Sequence, residues 1–394
     1  MLVGVVGKAN VGKSTFFKSL TLADVLIANY PFATIEPNKG FGFVRIPCVD
    51  VELNTQCNPR TGFCVKHQRF VPVEVMDVAG LVPGAHEGKG LGLSFLDDLR
   101  QADVLIHVVD MAGTTNARGE PVEAGTGDPV FDISSLEFEL DMWVLSILKK
   151  GWEKFSRQLQ QEKGDIVLAI AKQLSGLNVT EDIVKRCMQK VPVSENPAAW
   201  TEQELFSLAK EVRRMTKPLI VAANKADLPF ATKNLSLCKE KFPHMMFIPC
   251  SAEAELSLKQ AERAKLIEYL SGDSDFKIIG TVTEQQKKAL EFIRTNVLLP
   301  FGGTGVQTVL NAAVLDLLRY IAIFPGGLNK LADQFGRILP DCFLLPPAST
   351  AFDFASKIHS DLARDFIKAI DIRTRRAVGK EHLLKHRDVM EIVT

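Results

Sequence analysis

Eight consecutive residues, Gly7-Lys8-Ala9-Asn10-Val11-Gly12-Lys13-Ser14, stand in the order that cradles a polyphosphate. Glycines let the backbone N–H groups of such a loop turn inward around phosphate oxygens, and the helix behind it, opened by Thr15, adds its positive dipole end. Lys13 supplies a point charge to the β- and γ-phosphates, and the Ser14 hydroxyl is a ligand for Mg²⁺. Asp77-Val78-Ala79-Gly80 is a second chemical unit. Its Asp suits a metal ligand acting through water, and Gly80 suits a backbone amide that senses the γ-phosphate. Asn224-Lys225-Ala226-Asp227 is a third. The Asp227 carboxylate can accept two hydrogen bonds from the N1–H and N2–H₂ edge of guanine. Adenine has no N1–H and would leave the carboxylate unpaired, which is costly in a buried site. Lys225 is expected along the plane of the base and Asn224 as a tie to the phosphate loop. Ser251-Ala252 is expected to offer backbone N–H groups to the guanine O6, and Thr34 a second hydroxyl to Mg²⁺.

The catalytic complement is incomplete. Many small GTPases carry, directly after this Asp-x-x-Gly unit, a Gln that orients the attacking water. Here the residue is Leu81, whose side chain cannot hydrogen-bond to water. Two substitutes are visible. Asn10 can offer its carbonyl to a monovalent cation such as K⁺ between the phosphates, with structural bonding inside the loop the equal alternative. His86 lies in a Gly-rich segment and reads first as a solvated loop histidine, with catalysis the second reading.

These residues need strands to aim them. Leu2–Val6, Val71–Met76, Asp103–Asp110 and Leu219–Ala223 are apolar or alternating runs that end at or near the motifs, and Met245–Pro249 leads to Ser251. The expected fold is therefore α/β, a P-loop GTPase domain over residues 1–278. The long gap before the Asn224 motif is filled by helical periodicity (Leu136, Leu140, Trp143, Ile147, Trp152, Phe155), which predicts an inserted helical domain over about 132–215. Residues 283–297 and 304–319 read as two connecting helices broken at Pro300-Phe301-Gly302-Gly303, within a connecting region of 279–319. Residues 320–394 read as a β-grasp domain, with strands at 320–324, 342–345, 366–370 and 389–393 and a helix capped by Thr350.

Composition narrows the class. Lys and Arg number 47 and Asp and Glu 47, so a globally basic nucleic-acid binder is not indicated. Any RNA contact would need a local patch. In residues 321–394, eleven Lys/Arg against nine Asp/Glu include the run Arg373, Arg375, Arg376, Lys380, Lys385 and Arg387, which reads equally as an RNA-facing or a solvated edge. On the helical insertion, Lys149, Lys150, Lys154 and Arg157 read first as a solvated face. No apolar run looks long enough to cross a bilayer, and the first strand begins at residue 2, so a cytoplasmic location and no membrane partner are expected. A monomer is the expected state. The seven cysteines do not suggest a disulfide framework. Cys57, Cys64 and His67, with Cys48 upstream, match no common zinc spacing and read as ordinary thiols in a hairpin, with zinc the alternative.

With these pieces in order, the chain resembles the Obg-related translation-factor GTPases of the YchF group, in the archaeal-type branch. The resemblance rests on the phosphate loop, on Tyr30-Pro31-Phe32-Ala33-Thr34-Ile35-Glu36-Pro37-Asn38, and on Asp77-Val78-Ala79-Gly80-Leu81-Val82-Pro83-Gly84-Ala85. It also rests on the helical insertion and on a C-terminal β-grasp of the TGS type, with Ile358-His359-Ser360-Asp361-Leu362. It implies a nucleotide switch that binds GTP and GDP and associates with the ribosome through its TGS and helical domains. It also implies hydrolysis with a hydrophobic residue, here Leu81, in place of Gln. Residues 29–38 and 77–92 are the segments expected to differ between nucleotide states. The typical YchF protein carries Asn-x-x-Glu at the base motif and prefers ATP; this chain has Asp227, which places GTP ahead of ATP. The competing readings are a stress-regulatory ATPase, a metabolic phosphotransferase and a non-hydrolysing scaffold.

Overall fold

The computed structural model describes residues 1–21, 38–78, 99–162, 164–194, 196–328 and 330–394. Thr34, Gly80, Leu81 and His86 lie outside these residues, as do the greater parts of the two segments expected to differ between nucleotide states.

Strands β1 (Leu2–Val6), β2 (Lys39–Pro47), β3 (Phe63–Val65), β4 (Gln68–Asp77), β5 (Val104–Asp110), β6 (Leu219–Asn224) and β7 (Met246–Pro249) form one sheet. Its order is β2-β4-β1-β5-β6-β7, with β3 paired to β4. β1 is parallel to β4 and β5, and β5-β6-β7 continue in parallel, while β2 and β3 run antiparallel to β4. β1, β5 and β6 are buried along their whole length. That burial explains their continuous apolar sequences, as expected of parallel strands covered on both faces. The arrangement brings the C-terminal ends of β1, β4, β5 and β6 to one edge, where β1 leads into the phosphate loop, β4 ends on Asp77 and β6 ends on Asn224.

One face of the sheet is covered by the helical insertion, whose helices span Pro129–Lys149, Trp152–Glu162, Ile166–Gln173, Glu181–Lys190 and Glu202–Thr216. The first starts three residues earlier than the sequence suggests, because Asp128 caps it with Pro129 in its first turn. Leu136, Leu140 and Trp143 from that helix enter a core shared with Val212 and Leu208 of the last. Between the same two helices the buried Arg213 guanidinium reaches Asp141 and Glu137, each at 2.7 Å.

The opposite face is covered by Val306–Val314 together with Ala322, Phe324, Leu339 and Val389. Residues 306–314 are thus part of the central core rather than a tether. The preceding helix also differs from expectation. Glu284–Ile293 passes through a widened π-type segment at Arg294–Leu298 and continues through Pro300 to Phe301. The widened turn accommodates the proline's missing N–H and its ring. The break falls over 302–305, so the Gly302-Gly303 part of the expected break holds and the Pro300-Phe301 part does not; Gly302 and Gly305 have φ values of +70° and +81°. A Cβ at Gly305 would lie 2.0 Å from the Pro249 carbonyl oxygen, so the close approach requires glycine. Residues 284–317 are long and apolar enough to cross a bilayer by length and composition, contrary to expectation, but 61% of their apolar window is buried within the protein.

The C-terminal sheet is built from β10 (Ile321–Pro325), β11 (Phe343–Leu345), β12 (Lys368–Asp371), β13 (Arg376–Val378) and β14 (Val389–Val393), after a small pair, β8 (Ile267–Glu268) and β9 (Lys277–Ile278). Its order is β11-β10-β14-β12-β13, with β10 and β14 parallel at the centre. The helix Ala351–Ile358 starts in a capping box formed by Thr350 and Asp353 and buries Phe354 and Ala355. β13 was hidden in the basic run, since Arg376-Ala377-Val378 has little apolar signal of its own. Two members of that run are committed: Arg373 pairs with Glu52 at 2.8 Å and Arg387 also contacts Glu52.

Candidate functional site

The sheet edge places the phosphate loop, Asn224, Lys225, Asp227, Ser251 and Ala252 around one cleft of about 520 Å³. Asn224, the buried last residue of β6, is its keystone. Its Nδ2 donates to the Val11 carbonyl at 2.8 Å, and its Oδ1 accepts from the Ala252 N–H at 3.0 Å. A single side chain therefore ties together the phosphate loop, the base motif and the Ser-Ala turn. Gly12 is required by this clamp: its φ is +92°, and a Cβ there would lie 2.4 Å from Asn224 Nδ2.

Lys225, expected along the plane of the base, has its ammonium held within the protein. With φ at +60°, it sends its ammonium to the Asn10 carbonyl (3.1 Å), to Thr114 Oγ1 (2.8 Å) and to Asp110 Oδ2 (2.9 Å). Asp110, at the end of β5, is fully buried and also accepts from the N–H of Ala112 and from the N–H and hydroxyl of Thr114. It is a positioning residue whose position at a strand end was the one sequence signal. Asp227 lies beside Lys225, half-buried on the cleft wall. Among the described residues, its carboxylate has neither a hydrogen-bond nor an ion-pair partner.

The Ser-Ala turn corrects an expectation. The Ser251 N–H donates to the Thr304 carbonyl at 2.9 Å, and the Ala252 N–H is held by Asn224. Both amides are engaged inside the protein. Ser251 also caps the helix Ala252–Arg263 through the Ala254 N–H. In that first helical turn, the N–H of Glu253 is the donor left over by helix geometry, and Glu253 lines the cleft.

Within the phosphate loop the side chains divide. The Lys8 ammonium leaves the cleft and pairs with Asp132 at 2.7 Å, in the first turn of the helical insertion, and with the Thr115 carbonyl at 3.2 Å. Lys8 thus offers a phosphate only its backbone. Beneath it, burial and the Lys8 charge push the His107 pKa down to about 3, so this imidazole stays neutral. Ala9 packs against Gly119, and Val11 is buried under the loop. Asn10 has φ of +62° and donates from Nδ2 to the Gly119 carbonyl at 2.9 Å. That bond fixes the amide and leaves Oδ1 as an acceptor. The residue fits a monovalent-cation ligand, although its structural bond is equally real.

At the other end of the loop, Lys13 contacts the Asp77 carboxylate, and Ser14 Oγ lies 3.5 Å from Asp77 Oδ2. The hydroxyl–carboxylate distance is too long for a strong hydrogen bond. Two hard oxygen donors facing each other beside a lysine suit Mg²⁺, with Ser14 direct and Asp77 through water. Thr15 lies on the cleft wall beside them. Leu228, also on the wall and 38% exposed, was not singled out by sequence, because one aliphatic residue after the base motif carries no signal.

Comparison with known families divides the chain consistently with this geometry. Residues 2–131 match the family model described as 50S ribosome-binding GTPase. Residues 222–326 match the Obg-like GTPase YGR210-like, G4 motif-containing domain, and residues 333–394 match the TGS domain. A GTP-binding protein of Methanocaldococcus jannaschii is 49% identical, over 100% of this chain and 99% of its own length. A Bacillus subtilis protein named ribosome-binding ATPase YchF is 27% identical over 94% of this chain and 87% of its own. Among solved structures, a GTP-binding protein from Pyrococcus horikoshii superposes with a TM-score of 0.79 at 38% identity, covering 100% of both chains.

Proposed function

The chain belongs to the Obg-related GTP-binding proteins of the YchF group, and we propose that it hydrolyses GTP to GDP and phosphate as a cytoplasmic, ribosome-associated switch. The observation that carries this reading is the Asp227 carboxylate, unpartnered among the described residues, on the wall of the same cleft as Lys13 and in the same motif as the Asn224 clamp. A carboxylate so placed completes its hydrogen bonds with the N1–H and N2–H₂ of guanine and with nothing on adenine. The B. subtilis relative's name favours ATP; Asp227 opposes that reading for this chain.

The chain's residues divide the work. Backbone N–H groups of residues 8–14 and the Lys13 ammonium stabilise the negative charge on the phosphates, and Lys13 exchanges Asp77 for phosphate when nucleotide enters. Ser14, Thr34 and, through water, Asp77 would hold Mg²⁺, which would supply charge neutralisation for the phosphates. Asn10 would hold K⁺, which would add a further positive charge. The Gly80 N–H reads the γ-phosphate. His86 is a secondary candidate for orienting water. Ribosome contacts fall to the TGS and helical domains, with the exposed Arg375 and Arg376 as basic candidates.

The test is phosphate release from GTP by the full chain in K⁺ buffer, with and without ribosomes. Release of GDP and phosphate, faster with ribosomes, is expected. Absence of release under both conditions would leave a non-hydrolysing scaffold as the better account.

A further inference from the structure

At the end of β4 remote from Asp77, nine residues or about 30 Å along the strand, three thiols and a carboxylate converge. The Sγ atoms of Cys48, Cys57 and Cys64 and a carboxylate oxygen of Asp50 all lie within 4.8 Å of one another. Cys48 follows β2 directly, Cys64 lies in β3, and Asp50 and Cys57 come from the loop between those strands. Cys48 Sγ and Cys57 Sγ are 3.6 Å apart, and Cys64 Sγ is 3.9 Å from Asp50 Oδ2. Four ligands at the corners of a tetrahedron around zinc, with Zn–S of about 2.3 Å, have sulfur–sulfur edges of about 3.8 Å. The spacing observed is the one that such a centre needs.

Two surrounding features point the same way. The Asp50 side chain is completely buried, yet no Lys or Arg among the described residues pairs with it. Its Oδ2 accepts from the Cys57 N–H at 3.2 Å and its Oδ1 faces His67 Nδ1 at 3.1 Å. Ligating carboxylates are themselves held by outer hydrogen-bond partners, as Asp50 is here. His67, grouped with the thiols by spacing, is thus turned to Asp50 and not into the cluster. Arg69, directly across from Cys64 in the strand register, is fully buried. Its guanidinium donates to the Leu339 and Pro340 carbonyls, both at 3.0 Å, and its Nε has no partner. A buried cation with no carboxylate partner among the described residues suits an anionic metal–thiolate centre.

We propose that Cys48, Cys57, Cys64 and Asp50 form a tetrahedral Zn²⁺ site that fixes the loop on which the C-terminal domain docks. Binding converts each ligating thiol to a thiolate and releases its proton to solvent. The docking role follows from the same loop. The Asn58 and Arg60 N–H groups donate to the Ile338 and Pro340 carbonyls, each at 2.8 Å, and the Arg60 guanidinium pairs with Asp341 at 3.0 Å. A metal that sets the shape of residues 48–64 therefore sets the seat of residues 338–341. The inference is independent of which nucleotide the cleft reads.

The full chain, purified under reducing conditions without chelator and offered Zn²⁺, is expected to retain about one zinc per chain by elemental analysis. Cys57→Ser and Cys64→Ser should each lower that content to a small fraction, while Cys187→Ser, remote in the helical insertion, should not. Because a serine variant can fail to fold, wild-type protein stripped of metal and reloaded with Co²⁺ provides a second readout: the thiolate-to-cobalt charge-transfer absorption of a tetrahedral centre. Three results would overturn the proposal. These are no stoichiometric uptake of either metal while all seven thiols remain alkylatable, a native Cys48–Cys57 disulfide by mass spectrometry, or wild-type zinc content in a folded Cys57→Ser or Cys64→Ser protein.

Discussion

In the proposed function Asn224 and Asp227 divide recognition between them: one assembles the cleft and the other would read the guanine. Replacing Asp227 with Asn exchanges a charged acceptor for an amide with one acceptor and one donor. Hydrogen bonds to charged groups are worth about 1.5–3 kcal/mol, so GTP affinity should fall roughly 10- to 100-fold in an equilibrium titration. Xanthosine triphosphate should gain affinity, since its C2 carbonyl meets the new donor. Unchanged GTP affinity would remove the base assignment. Asn10 carries a separate expectation. GTP turnover should be higher in K⁺ than in Na⁺, and Asn10→Ala should abolish the difference; equal rates for the wild-type protein in the two salts would dismiss the cation. Most of this site was legible in the sequence, because the order of motifs fixes which backbone ends meet. What was not legible is which atoms are already taken. The engagement of the Ser251 and Ala252 amides depends on Thr304 and Asn224, and the anchoring of Lys225 depends on Asp110, all distant in sequence.

At the scale of elements, one helix among the described residues joins the helical insertion to the nucleotide site. Pro129–Lys149 offers Asp132 to Lys8 of the phosphate loop and, further along, Glu137 and Asp141 to Arg213 of Glu202–Thr216. Arg213 and Asp141 are 3% and 4% exposed, so removing the cation leaves a carboxylate buried without compensation. Arg213→Met is expected to destabilise the protein by about 3–5 kcal/mol, measured by denaturant unfolding, and adding Asp141→Leu should restore part of the loss. A loss under about 1 kcal/mol would show the network to be solvated and weak. The helices themselves were legible through apolar spacing, whereas the Asp128 cap, ahead of the expected start, was not. The ion network was not, since neither its depth nor its partners follow from periodicity. Pro300 misled for a related reason: proline is a helix breaker in an ordinary α-helix, and the widened turn before it is a tertiary outcome.

For the whole molecule, the β-grasp domain is not an appendage. Ala322, Phe324, Leu339 and Val389 share a core with Val306–Val314 and the underside of the nucleotide-binding sheet. Arg373 and Arg387 reach back to Glu52, and the loop carrying the three thiols seats residues 338–341. A change at the phosphate loop therefore has a packed route toward the C-terminal domain through the β2–β4 hairpin. The two domains were each legible from their own strand patterns, whereas their shared core was not, because residues such as Leu339 carry no periodic signal. The proposed function is that of a guanine-nucleotide switch. The most direct test is calorimetric titration of the nucleotide-free full chain with GTP and ATP, each with Mg²⁺. GTP should bind at least about 100-fold more tightly than ATP, as a site built to hydrogen-bond one base edge rejects the other. Equal affinities, or a preference for ATP, would contradict the account.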